Sequence, residues 1–347
     1  MAETAKQLHS PELTVVVATY NGATGLQHLL ESLAHQDLQF SRFEVIVTVD
    51  GSTDGTWEYL QAADMPYRLR SIWQRNQGPA AARDAAILLA RGDIILTLDD
   101  DVEPVPSLLR RHLAAHDDGK INAVIGPMIF PDTEPLTGWV RWEYEGLLRQ
   151  YTAMEDGQWS ATPRQFYTAN ASLPRKAYIE AGLFDPLFRR AEDIDLAFHL
   201  ANQGVDFQFL PDVPVFHRPR RGFDSWQRMA WLYGFYDIVM TSKKGRDYIL
   251  VTMSREHQYE RSPLLRAAAR LLLKRRMLLH AFLCSSGILG RAASRLGRRR
   301  LANMCYSAVF GLRYLEGAAA AFGDPRDFLR TLNTTGIRVT AGNLNAT

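Results

Sequence analysis

The stretch 93-DIILTLDDDVEP-104 decides how this chain is read. It is apolar almost without interruption up to Leu98, then delivers Asp99, Asp100 and Asp101 in succession. Neighbouring like charges repel, so three adjacent carboxylates at a strand end imply something opposite them. A strand that is apolar on both sides is covered on both faces, which is the condition of a parallel sheet between helical layers. The surrounding sequence repeats the pattern. "LTVVVATY" (13–20), "FEVIVTVD" (43–50) and "RLRSIWQ" (68–74) read as strands. Between them, "TGLQHLLESLAHQ" (24–36) reads as a helix with Leu26, Leu29, Leu30 and Leu33 on one face, and a short helix passes through Trp57 and Leu60. "GPAAARDAAILLA" (78–90) is a third helix with Pro79 in its first turn. Ligands of such sheets collect beyond the carboxyl ends of the strands. Those positions hold Thr19, Tyr20, Asn21, Asp50 and the three aspartates, so polar strand ends that lie far apart in sequence are expected to converge.

The pattern changes further on. "NAVIGPMIF" (122–130) reads as one more strand, and "LTGWVRWEYEGLLRQYTAM" (136–154) as an unusually aromatic helix. In that helix Trp139, Trp142 and Tyr144 offer an acceptor wall, or equally a packing surface. "FYTANASLP" (166–174) suggests a strand and turn, "AEDIDLAFHLANQG" (191–204) a helix ending at Gly204, and "FQFLPDVPVFH" (207–217) extended chain. From about residue 225 the chain reads as helical throughout. The expected organisation is a tail over 1–11, an α/β domain over 12–224, and a basic helical region over 225–347.

Bulk properties set outer bounds. The 347 residues suit one large or two modest domains, and 46% hydrophobic with 22% charged residues is ordinary for a folded protein. The two cysteines, Cys284 and Cys305, support neither a disulfide framework nor a zinc site of their own. The first residues show no secretory pattern, and the longest apolar run, "MLLHAFLCSSGIL" (277–289), is too short to span a bilayer. A cytoplasmic protein is expected, either free or peripheral on the inner face of the membrane.

Four groups carry chemistry. Asp-x-Asp at a strand end places two carboxylates where they can share one hard divalent cation; the plain alternative is an acidic loop before a helix starting near Pro104 or Pro106. In "VDGSTDGT", Asp50 can accept a hydrogen bond from a nucleobase N–H, although the same residues make ordinary turns. Glu192, Asp193 and Asp195 crowd a helix start, where carboxylates cap well; one of them there can also act as general base. His217 ends an extended segment as a candidate metal ligand or a structural histidine, and Arg218, Arg220 and Arg221 follow in a loop suited to phosphates.

As an ordered set, "VVVATYNG", "FEVIVTVDGSTDGT", "NQGPAAARDAA", "LTLDDD", "GLFDPLF" and "EDIDLAFHL" resemble family 2 glycosyltransferases of the GT-A fold over roughly residues 12–218. The resemblance implies a nucleotide-diphospho-sugar donor, a Mg or Mn cation and an inverting displacement. Matched by position, Tyr20 and Asp50 would hold the nucleobase, Thr19 and Asn21 beside them would help bind the nucleotide sugar, and Arg83 would grip the nucleotide. Asp99 and Asp100 would lie toward the ribose, Asp99, Asp101 and His217 would hold the cation, and Arg220 and Arg221 would close on the phosphates. Asp193 would be the catalytic base and Glu192 its neighbour. Two departures stand out: Val49 replaces the first of two aspartates common before Gly-Ser, and Leu183 replaces a glycine in "AGLFD". The Gln-x-x-Arg-Trp block of processive synthases is absent.

Between Arg261 and Arg300 the chain holds eleven Lys or Arg and no Asp or Glu. "SPLLRAAARLLLKRRMLL" (262–279) reads as one helix with Arg266, Arg270 and Lys274 four residues apart. Such a helix suits an anionic membrane surface, or a solvated basic face; the first would fit a carbohydrate or lipid-linked acceptor in the cell envelope. Nucleic acid is not expected, because aromatic residues do not interleave the basic ones. Two other function classes remain. A nucleotidyltransferase would want a lysine-bearing glycine loop, which "ATYNGATG" lacks. A non-catalytic membrane or nucleic-acid adaptor would have no use for Asp101, Asp193 and His217.

Overall fold

The computed structural model describes residues 10–117, 120–131, 135–218 and 222–334. Contacts divide the chain into two compact units: residues up to 135 together with 146–218, and 136–145 together with 222–334. The first unit opens with β1 (Leu13–Thr19), α1 (Ala23–Leu33), β2 (Phe43–Asp50), α2 (Thr56–Ala62), β3 (Arg68–Gln74), α3 (Pro79–Leu89) and β4 (Ile94–Asp99). It continues with β5 (Val102–Pro104), α4 (Leu108–Ala114), β6 (Asn122–Ile125) and β7 (Met128–Ile129). The division falls within α5 (Gly138–Glu155); β8 (Asn170–Pro174), α6 (Arg175–Glu180), α7 (Glu192–Asn202), β9 (Asp206–Phe209) and β10 (Val215–His217) complete the first unit.

Seven strands form the main sheet in the order β3-β2-β1-β4-β8-β6-β9. Every neighbouring pair is parallel except those of β8, which runs against both β4 and β6. The apolar runs explain the layering. Val15, Val17, Val45, Val47, Leu96 and Leu98 face a core containing the leucines of α1, whereas Val16, Ile46 and Ile95 face one containing α3 and α7. Alternate residues therefore feed opposite cores, as the pleat requires. Because β2, β1 and β4 are parallel neighbours, the residues after Thr19, Asp50 and Asp99 all leave the sheet at one edge.

In this unit the structure revises three details of the sequence reading. Residues 122–130 are two strands in different sheets, broken at residues 126–127, where a Cβ on Gly126 would lie 2.2 Å from Asn170 Nδ2. Residues 207–217 are not one extended run; β9 joins the main sheet while β10 joins β5 and β7 in a small second sheet of order β5-β10-β7. A short strand, β5, precedes the helix expected near Pro104.

The second unit is helical: α8 (Phe223–Lys244), α9 (Asp247–Arg255), α10 (Pro263–Leu272), α11 (Arg276–Arg295), α12 (Arg299–Phe322) and α13 (Pro325–Thr334). Small residues let α8 and α12 pack tightly: a Cβ on Gly234 or Gly317 would lie 1.9 Å from a carbonyl oxygen of the facing helix. Trp226 and Tyr306 sit fully buried between them. The residues 262–279 are two helices, not one; Ser262 caps the first through Leu265 N, as a Ser-Pro start predicts, and residues 273–275 separate it from the second. Trp139 and Trp142 pack edge-on against Phe223 and Trp226, so these two rings serve this unit's core.

Candidate active site

The site is built at the carboxyl edge of β2, β1 and β4. Two neighbouring loops are laced together there. Asn21, held at φ 54°, donates its N–H to Ser52 Oγ (2.9 Å) and accepts from Thr53 N (2.8 Å), while Ala23 N donates to Asp54 Oδ2 (3.1 Å). Tyr20 between them is 58% exposed, an aromatic ring presented at the sheet edge. Asp50 is buried and organises the next loop: its carboxylate accepts from Gln74 Nε2, Gln77 N and Gly78 N, each at 2.8 Å. Gly78 is at φ 98°, a conformation open to glycine, which brings its N–H onto the carboxylate.

The three aspartates each face a different partner. Asp99 accepts from Arg83 Nη2 at 2.9 Å, and Arg83 Nη1 donates to Glu192 Oε1 at 2.7 Å. Arg83 on α3 is buried, so this fork ties the end of β4 to the start of α7 with little competition from water. Each terminal nitrogen thus donates to one carboxylate. Asp100 accepts a 2.5 Å hydrogen bond from Thr19 Oγ1. Burial pushes its pKa up to about 7; the Thr19 hydroxyl opposes the rise, and the charges of Asp101 and Asp99 add to it. Gly22 makes room for this carboxylate: a Cβ there would lie 2.0 Å from Asp100 Oδ2.

Asp101 meets His217 instead, with Oδ2 3.2 Å from Nε2. The small sheet explains a contact across 116 positions. Antiparallel pairing sets Val102 opposite His217, and Arg218 N donates to Asp101 O at 3.1 Å. A network beneath holds this arrangement. His112 of α4, kept neutral because burial drops its pKa to about 3, bonds Ser172 Oγ (2.8 Å) and Asn170 Oδ1 (3.0 Å). Asn170 Nδ2 in turn donates to Val213 O at 2.8 Å, just before β10.

The donor set suits a hard divalent cation. Two ligands on adjacent corners of a Mg or Mn octahedron sit about 3 Å apart, close to the Asp101–His217 separation. The His217 ring is buried, and among the described residues its Nδ1 has no hydrogen-bond partner, so the ring is under-satisfied as a purely structural group. Among the described residues no cluster of three or more acidic, His or Cys side chains forms a cation cage. A cation here would take two protein ligands and complete its shell with substrate oxygens and water, the usual condition of Mg. Asp99, expected in that shell, is drawn to Arg83.

Asp193 follows Glu192 in the first turn of α7 and is partly accessible. Its pKa is pushed well above the ordinary carboxylate range, first by the desolvation of its surroundings and then by the charge of Glu192; Arg83 and Arg190 oppose the rise. The backbone before it is strained, with Ala191 at φ 63°. Asp195 is buried, 3.7 Å from His199 one turn on. Arg220 and Arg221 lie outside the described residues.

Sequence reasoning missed the Arg83 fork, the Thr19–Asp100 bond and the His112 network. A buried Arg in an Ala-rich helix and a glycine pair beside the first strand end were their only signals. The Leu183 departure has a structural counterpart: this residue sits at φ 64°, where glycine would carry no strain.

Residues 14–182 match the family model described as glycosyl transferase family 2. The validoxylamine A glucosyltransferase of Streptomyces hygroscopicus subsp. jinggangensis (strain 5008) is 31% identical over 223 residues, covering 57% of this chain and 53% of that one. The chain thus spans about half the length of the curated relatives first matched. Among solved structures, the mannosyltransferase PcManGT from Pyrobaculum calidifontis, in complex with GDP-Man and Mn2+, superposes with a TM-score of 0.60 at 22% identity, over 91% of this chain and 88% of that one. S. aureus TarS 1-349 in complex with UDP-GlcNAc gives 0.54 at 17% identity, over 90% and 92%. With the mostly parallel seven-stranded sheet and the ordered strand-end motifs, these likenesses show that the chain has the GT-A fold and carries a glycosyltransferase family 2 domain over residues 14–182.

Proposed function

We propose that this protein transfers a sugar from a nucleoside diphosphate sugar, a UDP-sugar, to an acceptor hydroxyl of a glycan, a lipid-linked sugar or another cell-envelope carbohydrate, with inversion. The observation that carries this reading is the linked edge itself. Asp50, the Thr19–Asp100 pair, the Asp101–His217 pair and the Arg83-joined Asp99 and Glu192 stand at or beside the ends of adjacent strands, next to Asp193. The nucleotides named with the structural neighbours, UDP-GlcNAc and GDP-Man, support a nucleotide-sugar donor, and the Mn2+ named with one supports a divalent cation.

In this reading Tyr20 offers its exposed ring to the nucleobase, and the carboxylate of Asp50 holds the loop that borders it. Asp99 and Asp100 approach the ribose. Asp101 and His217 would hold Mg or Mn, which when bound neutralises the departing diphosphate. Asp193 accepts the acceptor hydroxyl's proton as that oxygen bonds to the anomeric carbon. The anomeric C–O bond breaks with its electron pair leaving on the nucleoside diphosphate. The raised pKa of Asp193 suits this role, because a general base works best when its pKa lies near the working pH. The test is a thermal-shift panel of nucleotides with and without Mn, together with UDP-sugar hydrolysis. UDP and Mn together should raise the unfolding midpoint, and Asp101→Ala should remove that increment. A nucleoside triphosphate that releases pyrophosphate, or a midpoint indifferent to every nucleotide, would overturn the reading.

A further inference from the structure

The helix α11 is apolar on two opposite sides. Successive residues of a helix advance by about 100°, so Leu279, Leu283, Gly287, Gly290 and Ala293 share one face. That face is buried in the core of the helical unit. Met277, Ala281, Cys284, Ile288 and Ala292 define the opposite face, flanked by Leu278 and Leu289, with Ser285 a polar side chain on that side. It is open: Met277 is 87% exposed, Ile288 61%, and Leu278 and Leu289 49% each. Leu296 just past the helix, and Leu264 and Leu271 on α10, are also exposed. A contiguous exposed apolar strip of this kind ordinarily marks a surface that meets protein or lipid.

The charge around this face is one-sided. No charged residue stands between Met277 and Gly290. Exposed Lys274 and Arg275 precede the helix and exposed Arg276 opens it; exposed Arg295 ends it, and exposed Arg298, Arg299 and Arg300 follow. The 20 residues of α11 span about 30 Å, so two basic clusters bracket a long apolar strip. Among the described residues no helix is long and apolar enough to cross a membrane. A strip in water with cations at both ends instead has the form of a helix lying in the plane of a bilayer surface, its apolar side chains among the acyl chains and its arginines at the phosphates.

We propose that the outward face of α11 docks this chain on an anionic phospholipid surface. A second copy of the chain is the competing occupant, and charge argues against it. Antiparallel pairing would set Lys274–Arg276 against Arg298–Arg300, and parallel pairing would set each cluster against itself. Either juxtaposes cations, which is costly, whereas lipid phosphates neutralise both ends at once. The proposal does not depend on glycosyl transfer and deepens that reading only by placing the acceptor at a membrane.

Co-sedimentation of the full chain with vesicles, without donor or metal, tests it. Vesicles of phosphatidylcholine containing about a third phosphatidylglycerol should pellet the protein, and pure phosphatidylcholine should not, since each basic side chain near such a surface favours binding roughly fivefold. Replacing Arg298, Arg299 and Arg300 together by Ala should weaken binding on the order of a hundredfold. Ile288→Glu with Leu289→Glu should weaken it by about tenfold or more while leaving the unfolding midpoint at the wild-type value, because both side chains are exposed. Equal binding to neutral vesicles would overturn the proposal. So would a dimer in sedimentation velocity that the Glu pair dissolves, with no vesicle binding by the wild type.

Discussion

Replacing Arg83 by Met removes one guanidinium from between two carboxylates while keeping a long apolar stem. Removing one partner of a buried ion pair costs about 3–5 kcal/mol, because the remaining charge is left uncompensated. Here the Glu192 side is buried but the Asp99 side chain is 37% exposed, so water screens part of that loss. A stability loss of about 3 kcal/mol is expected in urea unfolding. The kinetic effect is more telling. Asp193 takes a proton only when ionised, so activity falls as pH drops through its raised pKa. Arg83 opposes that rise, and deleting its charge should move the acid limb of kcat/KM upward by about one pH unit. Arg83→Lys keeps a charge but not the two-pronged contact, and should leave the limb near its wild-type position with a partial loss of stability. An acid limb unmoved in Arg83→Met, with only the donor KM raised, would refute the fork's effect on Asp193 and return Arg83 to gripping the nucleotide.

Asp193→Asn should lower kcat by about 10²- to 10⁴-fold with donor affinity unchanged, read by calorimetric titration of UDP beside turnover. Gly22→Ala should cut activity far more than stability, because Gly22 lies outside the left-handed region and its new Cβ would strike Asp100; turnover and the unfolding midpoint measured together check this. His217→Ala should weaken Mn affinity by about 10-fold or more in an isothermal titration run below its unfolding midpoint, which the loss of a buried ring lowers.

Much of the first unit was legible because its signals are local. The strands at 13–19, 43–50 and 94–99 are apolar runs with polar ends, 68–74 mixes polar and apolar residues at the sheet's edge, and the sheet's parallel sense follows from the helices between them. What stayed hidden depends on pairing at long range. β8 runs against its neighbours, and no residue within "NASLP" announces direction. The Asp101–His217 contact exists because a three-residue strand pairs with another far along the chain, too short for periodicity to reveal. The position of Arg83 in its motif suggests a nucleotide contact, whereas its burial against Glu192 depends on how α7 meets α3. The basic helices showed their charge in the sequence, but the exposed apolar side of α11 emerges only once its other side is packed.

The most direct measurement is a crystal of the protein with UDP and Mn, with data collected at the manganese absorption edge. The account predicts an anomalous peak bonded to an Asp101 carboxylate oxygen and to His217, with diphosphate oxygens completing the shell and the uridine lying toward Tyr20 and Asp50. A manganese peak elsewhere, or UDP bound away from the carboxyl edge of β2, β1 and β4, would contradict it.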